Sequence, residues 1–520
     1  MAEKGRLQKS MWNLIGGFSY RLLSMLTAFV VRTIFIRCLS EAYLGINGLY
    51  TNILNMLSLA ELGFGTAMVY SMYKPLAEKD DEKLSQLLRL YKRVYTIMGT
   101  VILVLGLALI PFLDVLIKNK PDVEGLTFYY VMFLLNTVVS YWFFAYRNSV
   151  LHADQKSYIV SKYNSAFNLI KSALQIVVLL CFRNYTVYLL TQILCTIAEN
   201  IALAVKVKKE YPGVLQKKES ELPKEDKTRI FRDVKALMLG KISFVTLSSS
   251  DTIIISAFIG VNWVGLLSNF TMIVDAITGV LTQITSAISA SLGNFFAKED
   301  KEAGFQLFNR IEFMNFWLYG FSSVALFVLL NPFVTVWIGE KFTLSNMIVI
   351  ALVIRFFVAG YMNTCQTFRS TLGLFVQGQY RSIAVALVNI ALSILLSKPL
   401  GVAGVLFATS ISRLLINMWY DPWVLHRDGF GKSVKPFYIR YSLRIVLLIS
   451  VSVLMTMLSK LIFAGGITIL RFALMTVLTA IIPNLIFLAV FFRTEEFRYF
   501  CVLINEKVLS KFKKQSIISD

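Results

Sequence analysis

The chain has 520 residues, of which 56% are hydrophobic and 16% charged, with a formal net charge of +21. Soluble chains carry near a quarter charged residues, so this balance excludes a water-soluble globular protein, and apolar runs long enough to cross roughly 30 Å of hydrocarbon recur from end to end. Most Lys and Arg flank those runs, so the positive excess reads as loop topology, and nucleic acid is not an expected partner.

In chain order, Met1–Ser10 is polar, and the run behind it is too long for a secretory signal and lacks a cleavage site. Apolar runs then predict an all-α polytopic fold of fourteen spans: 12–37, 44–73, 91–117, 125–147, 157–182, 185–206, 236–260, 264–296, 310–338, 346–368, 379–398, 401–424, 438–463 and 467–492. Many of these carry Ser, Thr, Asn and Gly, as helices do when they pack on one another or line water. Basic residues gather in alternate loops (Lys74, Lys79, Lys83, Arg89, Lys92 and Arg93, then Lys206–Lys235, then Arg427–Arg440), which places both termini in the cytoplasm. Lys74–Arg93 has leucines at helical spacing among its charges and is predicted to lie along the membrane surface. Lys206–Lys235 is polar, holds two prolines and reads as a linker.

The chain states one stretch twice. Leu44–Lys83 matches Val264–Ala303 at a shift of 220 without a gap: Gly45 falls on Gly265, Tyr50 on Phe270, Thr51 on Thr271, Ala77 on Ala297 and Asp80 on Asp300. The match continues through Pro111-Phe112 and Pro332-Phe333, then Arg147-Asn148-Ser149 and Arg369-Ser370-Thr371. Two parallel six-helix units follow, related by an axis along the membrane normal, with a cavity expected between them. The predicted organisation is an N-terminal lobe over 1–206, a linker over 207–235, a C-terminal lobe over 236–426, and two additional helices with a cytoplasmic tail over 427–520.

Ionisable groups inside spans are costly and normally face a cavity or a partner. The first span carries Arg21 and Arg32, eleven residues apart and so on one stripe. Arg21 has Lys241 as its counterpart in the second copy. Lys171, Arg355 and Arg413 are further interior cations, and Glu61, Glu199, Asp251 and Asp275 are the interior acids. Arg21 and Glu61 come to similar depth, so a salt bridge and a ligand contact both stand open there. Arg32, Arg355 and Arg413 have no acid at matching depth. A wet cavity lined by Arg21, Arg32, Lys241, Arg355 and Arg413 suits a phosphate-bearing ligand. Glu61, Asp251 and Asp275 are candidates for pairing or for coupling Na⁺ or H⁺; no other cofactor is expected. Five cysteines (Cys38, Cys181, Cys195, Cys365 and Cys501) lack disulfide or metal spacing, and His152 and His426 are far apart, so no metal site and no catalytic residue is predicted.

The run ELGFGTAMVYSMYKPLAEKDDEK, the paired six-helix units with two extra helices, and YDPWVLHR at Tyr420–Arg427 resemble the Wzx-type O-antigen and oligosaccharide repeat-unit flippases. These belong with MurJ and the MATE exporters in the multidrug/oligosaccharidyl-lipid/polysaccharide (MOP) superfamily. The resemblance implies a two-lobed helical transporter of the bacterial cytoplasmic membrane with a cationic cavity. It would move an undecaprenyl-pyrophosphate-linked oligosaccharide by alternating access for surface polysaccharide and O-antigen synthesis. Membrane lipid, glycosyltransferases and a polysaccharide polymerase are the implied partners. The rival readings are a MATE-like cation/drug antiporter, a lipid II flippase proper and, lowest, a membrane polysaccharide polymerase, which would need a larger outer loop than Lys118–Glu124.

Overall fold

The computed structural model describes residues 23–502 and 505, apart from 62, 217–220, 297–299 and 375–379. Side chains at 59–60, 215–216, 236–244, 248, 286–291, 293 and 294 also lie outside the description. Among the described residues all regular structure is helical. Nine of these helices are long and apolar enough to cross a membrane, or ten if Leu126–Trp142 and Ala145–Ala153, bent by 42°, form one span. The chain divides into two compact units, Met1–Ser268 and Asn269–Asp520.

The first unit begins with α1 (23–38) and α2 (Glu41–Leu57). The predicted span 44–73 does not run through. A 3₁₀ turn at Ser58–Glu61 and a left-handed Gly63 (φ 101°) part α2 from α3 (Phe64–Ala77). Ser58 weakens the helix there by bonding back to the Leu54 carbonyl at 2.8 Å. The structure also corrects the surface helix expected over Lys74–Arg93. Lys79 takes a positive φ, and Asp80 caps a new helix by accepting from the Lys83 amide at 2.9 Å. That helix, α4 (Asp81–Ala108), continues directly into the apolar span, with Asp81 and Glu82 favourable at its positive N-terminus.

There follow α5 (Leu113–Leu116), α6 (Leu126–Trp142), α7 (Asn148–Ala153), α8 (Ser157–Cys181), α9 (Tyr185–Glu210), α10 (Pro212–Gln216) and α11 (Lys224–Phe258). The predicted linker is therefore mostly helix: α9 extends to Glu210, and α11 starts twelve residues before the expected span. Fully buried Tyr50 and Tyr130 centre the core of this unit, their hydroxyls donating to the carbonyls of Leu126 and Gly106, both at 3.0 Å.

The unit closes with the first turns of α12 (Val261–Phe296), which cross α2. Gly45 and Gly265, the same position in the two copies, face each other. A Cβ on Gly45 would lie 2.3 Å from the Val261 carbonyl oxygen, and one on Gly265 would lie 2.9 Å from the Gly45 nitrogen. Small residues permit such close backbone approach inside a membrane, where packing rather than hydrophobic burial drives helix association.

The second unit continues α12 and adds α13 (Lys301–Ile338), α14 (Asn346–Thr371), α15 (Arg381–Val424), α16 (Lys435–Phe463) and α17 (Ile469–Phe491). α15 is a hairpin. Gly401 adopts φ 56°, ψ −137°, and Asn389 donates to the Thr409 hydroxyl at 2.9 Å, although a straight helix would separate them by about 30 Å. α16 and α17, the helices outside the repeat, pack on α13, where Trp317 bonds Asn484 at 2.8 Å. Leu443, Val446, Ile449, Val453, Met457 and Leu461 leave an apolar stripe exposed along α16, the face a lipid-embedded helix presents.

Candidate functional site

The first unit places one predicted cation clearly. Arg32, half-buried on α1, donates to the Ser268 carbonyl at 3.4 Å and lies within electrostatic reach of Tyr188 on α9. Tyr188 is fixed edge-on against Phe35, one turn along from Arg32, with ring centroids 5.3 Å apart. Arg21 lies outside the described residues, as does the side chain of Lys241, whose backbone belongs to α11. Lys171 on α8 sits within electrostatic reach of Glu199 on α9, so this interior cation has an acid beside it.

Glu61 stands at the break in the second span. Tyr95 of α4 donates to one carboxylate oxygen at 2.6 Å and Tyr141 of α6 to the other at 2.5 Å, while Tyr91 donates onward to Tyr95 at 3.1 Å. Among the described residues its recorded partners are therefore neutral hydroxyls. The Arg21 bridge weighed from the sequence falls outside the description. Asp251 is buried on α11 beside buried Ser249 and Ser250.

In the second unit Arg355, half-buried on α14, has an acid within electrostatic reach after all: Asp275 on α12. No partner was legible in the sequence because eighty positions separate the two. Arg413 is half-buried on the returning arm of α15. The fold also exposes charges that sequence reasoning missed. Glu312 of α13 is buried with Arg444 of α16 and Tyr361 of α14, both donating to the same carboxylate oxygen. Arg369 and Arg381 close together on the buried carboxylate of Asp421, and Arg369 reaches the Leu374 carbonyl at 3.1 Å. The signal was present: Glu312 and Arg444 sit inside runs read as spans, where an ionisable group demands a partner.

A scan against family models finds that residues 9–289 match the family described as "Polysaccharide biosynthesis protein". The chain belongs to the polysaccharide biosynthesis protein family. Among solved structures it resembles the lipid II flippase MurJ in an inward closed conformation, with a TM-score of 0.64 and 17% identity over 93% of this chain and 100% of that one. It also resembles an inward-facing MATE-family multidrug resistance transporter of the MOP superfamily, with a TM-score of 0.61 and 14% identity over 80% and 98%. A curated relative, the uncharacterized membrane protein EpsK of Bacillus subtilis (strain 168), is 27% identical over 175 residues. The chain spans about a third of that relative's length. This family member is therefore a multi-pass membrane protein with the fold of MOP-superfamily transporters, and the solved proteins sharing that fold are transporters and a flippase.

Two further charged groups of the protein lie at helix ends outside the spans. Lys156 bridges Asp154 at 2.8 Å and Glu210 at 3.3 Å, and Tyr211 donates to Asp154 at 2.5 Å. The bond to Asp154 holds the Lys156 ammonium above its usual range. Burial opposes ionisation of Asp154, but the hydrogen bonds from Lys156 and Tyr211 outweigh it and hold the carboxyl below its usual range. Burial, reinforced by that carboxylate, pushes Tyr211 up to about 12. The second group is a cleft of ≈ 260 Å³ lined by Gln86, Arg89, Leu90 and Arg93 of α4 and by Glu221, Leu222 and Lys227.

Proposed function

We propose that this protein is a flippase that moves an undecaprenyl-pyrophosphate-linked oligosaccharide from the inner to the outer leaflet of the bacterial cytoplasmic membrane, by alternating access, for surface polysaccharide assembly. The observation that carries this reading is the family match over residues 9–289 on a fold shared with a lipid II flippase. Interior cations support it: Arg32 and Arg355 are neither sequestered in a core nor turned wholly outward, and guanidinium groups bind phosphate oxygens through paired donors. In this reading Arg32, Arg355 and Arg413, with Arg21 and Lys241, meet the pyrophosphate while the lipid tail stays in hydrocarbon. No bond is made or broken, so no residue is catalytic. Glu61 is the acid we assign to any coupling H⁺ or Na⁺, because it stands at a helix break with hydroxyl partners alone among its recorded contacts. Glycosyltransferases would supply the substrate and a polymerase would consume it.

The test is export in a strain whose own copy is deleted. Arg32→Ala and Arg355→Ala are expected to abolish surface polymer while the protein still reaches the membrane. Normal export from both variants overturns the residue assignment. Unchanged polymer in the deletion strain, with altered drug susceptibility, overturns the flippase reading in favour of an antiporter.

A further inference from the structure

The cleft beside α4 is open and roomy, and its described lining carries more cations than acids. Gln86, Arg89, Leu90 and Arg93 recur at three- and four-residue steps and so form one wall on one face of the helix. Leu222, almost wholly buried, gives an apolar floor, and Lys227 in the first turn of α11 closes the far side. α11 is anchored against α4 by the bridge from Lys83 to Asp226 at 2.9 Å. Among the described lining residues, three are cations and one, Glu221, is a carboxylate. Glu221 lies between two of them, 3.3 Å from Arg93 and 2.9 Å from Lys227, and these neighbours, Lys227 first, hold it below the usual carboxylate range.

Among the described lining residues the charge of this cleft is therefore positive. Glu221 and Arg93 are each 67% exposed, and bridges so exposed contribute little and exchange readily. A dianionic group offers the Arg93 guanidinium and the Lys227 ammonium stronger, multidentate acceptors than Glu221 does. The volume lies just below the ~300–1,000 Å³ of drug-sized sites, which suits a phosphate or diphosphate group. Arg89 and Arg93 also lie where α4 passes from its charged first turns into its apolar stretch, the depth of lipid phosphates on the positive-inside reading.

We propose that this cleft binds a phosphate- or diphosphate-bearing ligand at the inner face, and that Glu221 occupies the anion position until the ligand displaces it. The ligand is either the head group of an inner-leaflet lipid or a soluble phosphate compound. The site stands on its own geometry and does not depend on the transport reading.

The experiment is calorimetric titration of the purified full-length protein, in phosphatidylcholine nanodiscs at low salt, with inorganic pyrophosphate. Arg93→Gln and Lys227→Gln are each expected to weaken binding about tenfold, as loss of a charged hydrogen bond does. Glu221→Gln is expected to tighten it several-fold, the opposite sign. Circular dichroism of each variant confirms that the substitutions leave the helices intact. Repeating the titration with phosphatidic acid in the disc separates the two sources. Pyrophosphate binding suppressed by the lipid identifies a head-group site, and unchanged binding identifies a soluble ligand. Absence of pyrophosphate binding in both discs, or a Glu221→Gln affinity equal to or below that of the unmodified protein, overturns the proposal.

Discussion

Each unit holds a tyrosine-bound glutamate on or between its apolar helices, and the two are partnered differently. In the second unit Glu312 lies on a continuous helix and is met by Arg444 from α16, a helix outside the repeat. In the first unit Glu61 lies at a helix break and is met by Tyr95 and Tyr141. The first arrangement is a clamp: a buried ion pair is strongly unfavourable to break because one charge is left uncompensated. In the second, the described partners carry no charge that would be stranded if the carboxylate gained or lost a cation. The helices outside the repeat thus give the second unit a buried ion pair at its tyrosine-bound glutamate, and the described partners of Glu61 in the first unit carry no charge.

The largest effect should come from breaking the clamp. Arg444→Ala leaves Glu312 buried without its cation and is expected to cost about 3–5 kcal/mol, read as a fall in thermal midpoint of the detergent-solubilised protein. Adding Glu312→Gln should recover most of that loss. A clamp variant as stable as the unmodified protein would remove the contrast between the two units. Next comes the crossing of α2 and α12. Gly45→Val forces a side chain into the Val261 carbonyl, for an expected loss of about 1–3 kcal/mol by the same measurement.

Substitution at Glu61 sharpens the comparison from the other side. Glu61→Gln retains an oxygen that accepts from a tyrosine, so stability should fall by only about 1 kcal/mol or less. Export should lose its dependence on external pH or Na⁺. A Gln variant with an unaltered dependence would move the coupling role elsewhere. The smallest effect concerns the Asp154 cluster. Its folded pKa is depressed below the ordinary value of 3.8, so its contribution is present above that value and is lost as pH falls through the folded pKa. The side chain is 36% exposed, so at most about 1 kcal/mol is involved. Hydrogen exchange of α7 and the C-terminal turn of α9 should quicken below pH ~4 in the unmodified protein and show a weaker acid response in Asp154→Asn.

The membrane class, the repeat and the resemblance were legible because each is local: apolar runs of spanning length, matched residues at a fixed shift, and contiguous motifs. The glycine pair at 45 and 265 was visible as a repeat match, and the fold adds that the two residues meet. What stayed hidden was pairing across distance. Glu312 and Arg444 stand 132 positions apart, and Asp275 and Arg355 eighty, and hydropathy does not say which interior charges share a depth and a face. The break at Ser58–Gly63 was masked by an unbroken apolar run. The surface helix expected over Lys74–Arg93 failed because Lys79 and Asp80 make a turn and cap, which counts of leucine spacing do not detect.

The deciding property is whether the protein carries a phosphorylated lipid-linked sugar across a bilayer. Proteoliposomes loaded with an undecaprenyl-pyrophosphate-linked oligosaccharide, probed by an external enzyme that cleaves only the outer-leaflet pool, measure this directly. The unmodified protein is expected to make the inner pool accessible, with Arg32→Ala and Arg355→Ala slowing it at least about tenfold, the loss of one charged phosphate contact. An inner pool as protected as in protein-free vesicles would contradict the account.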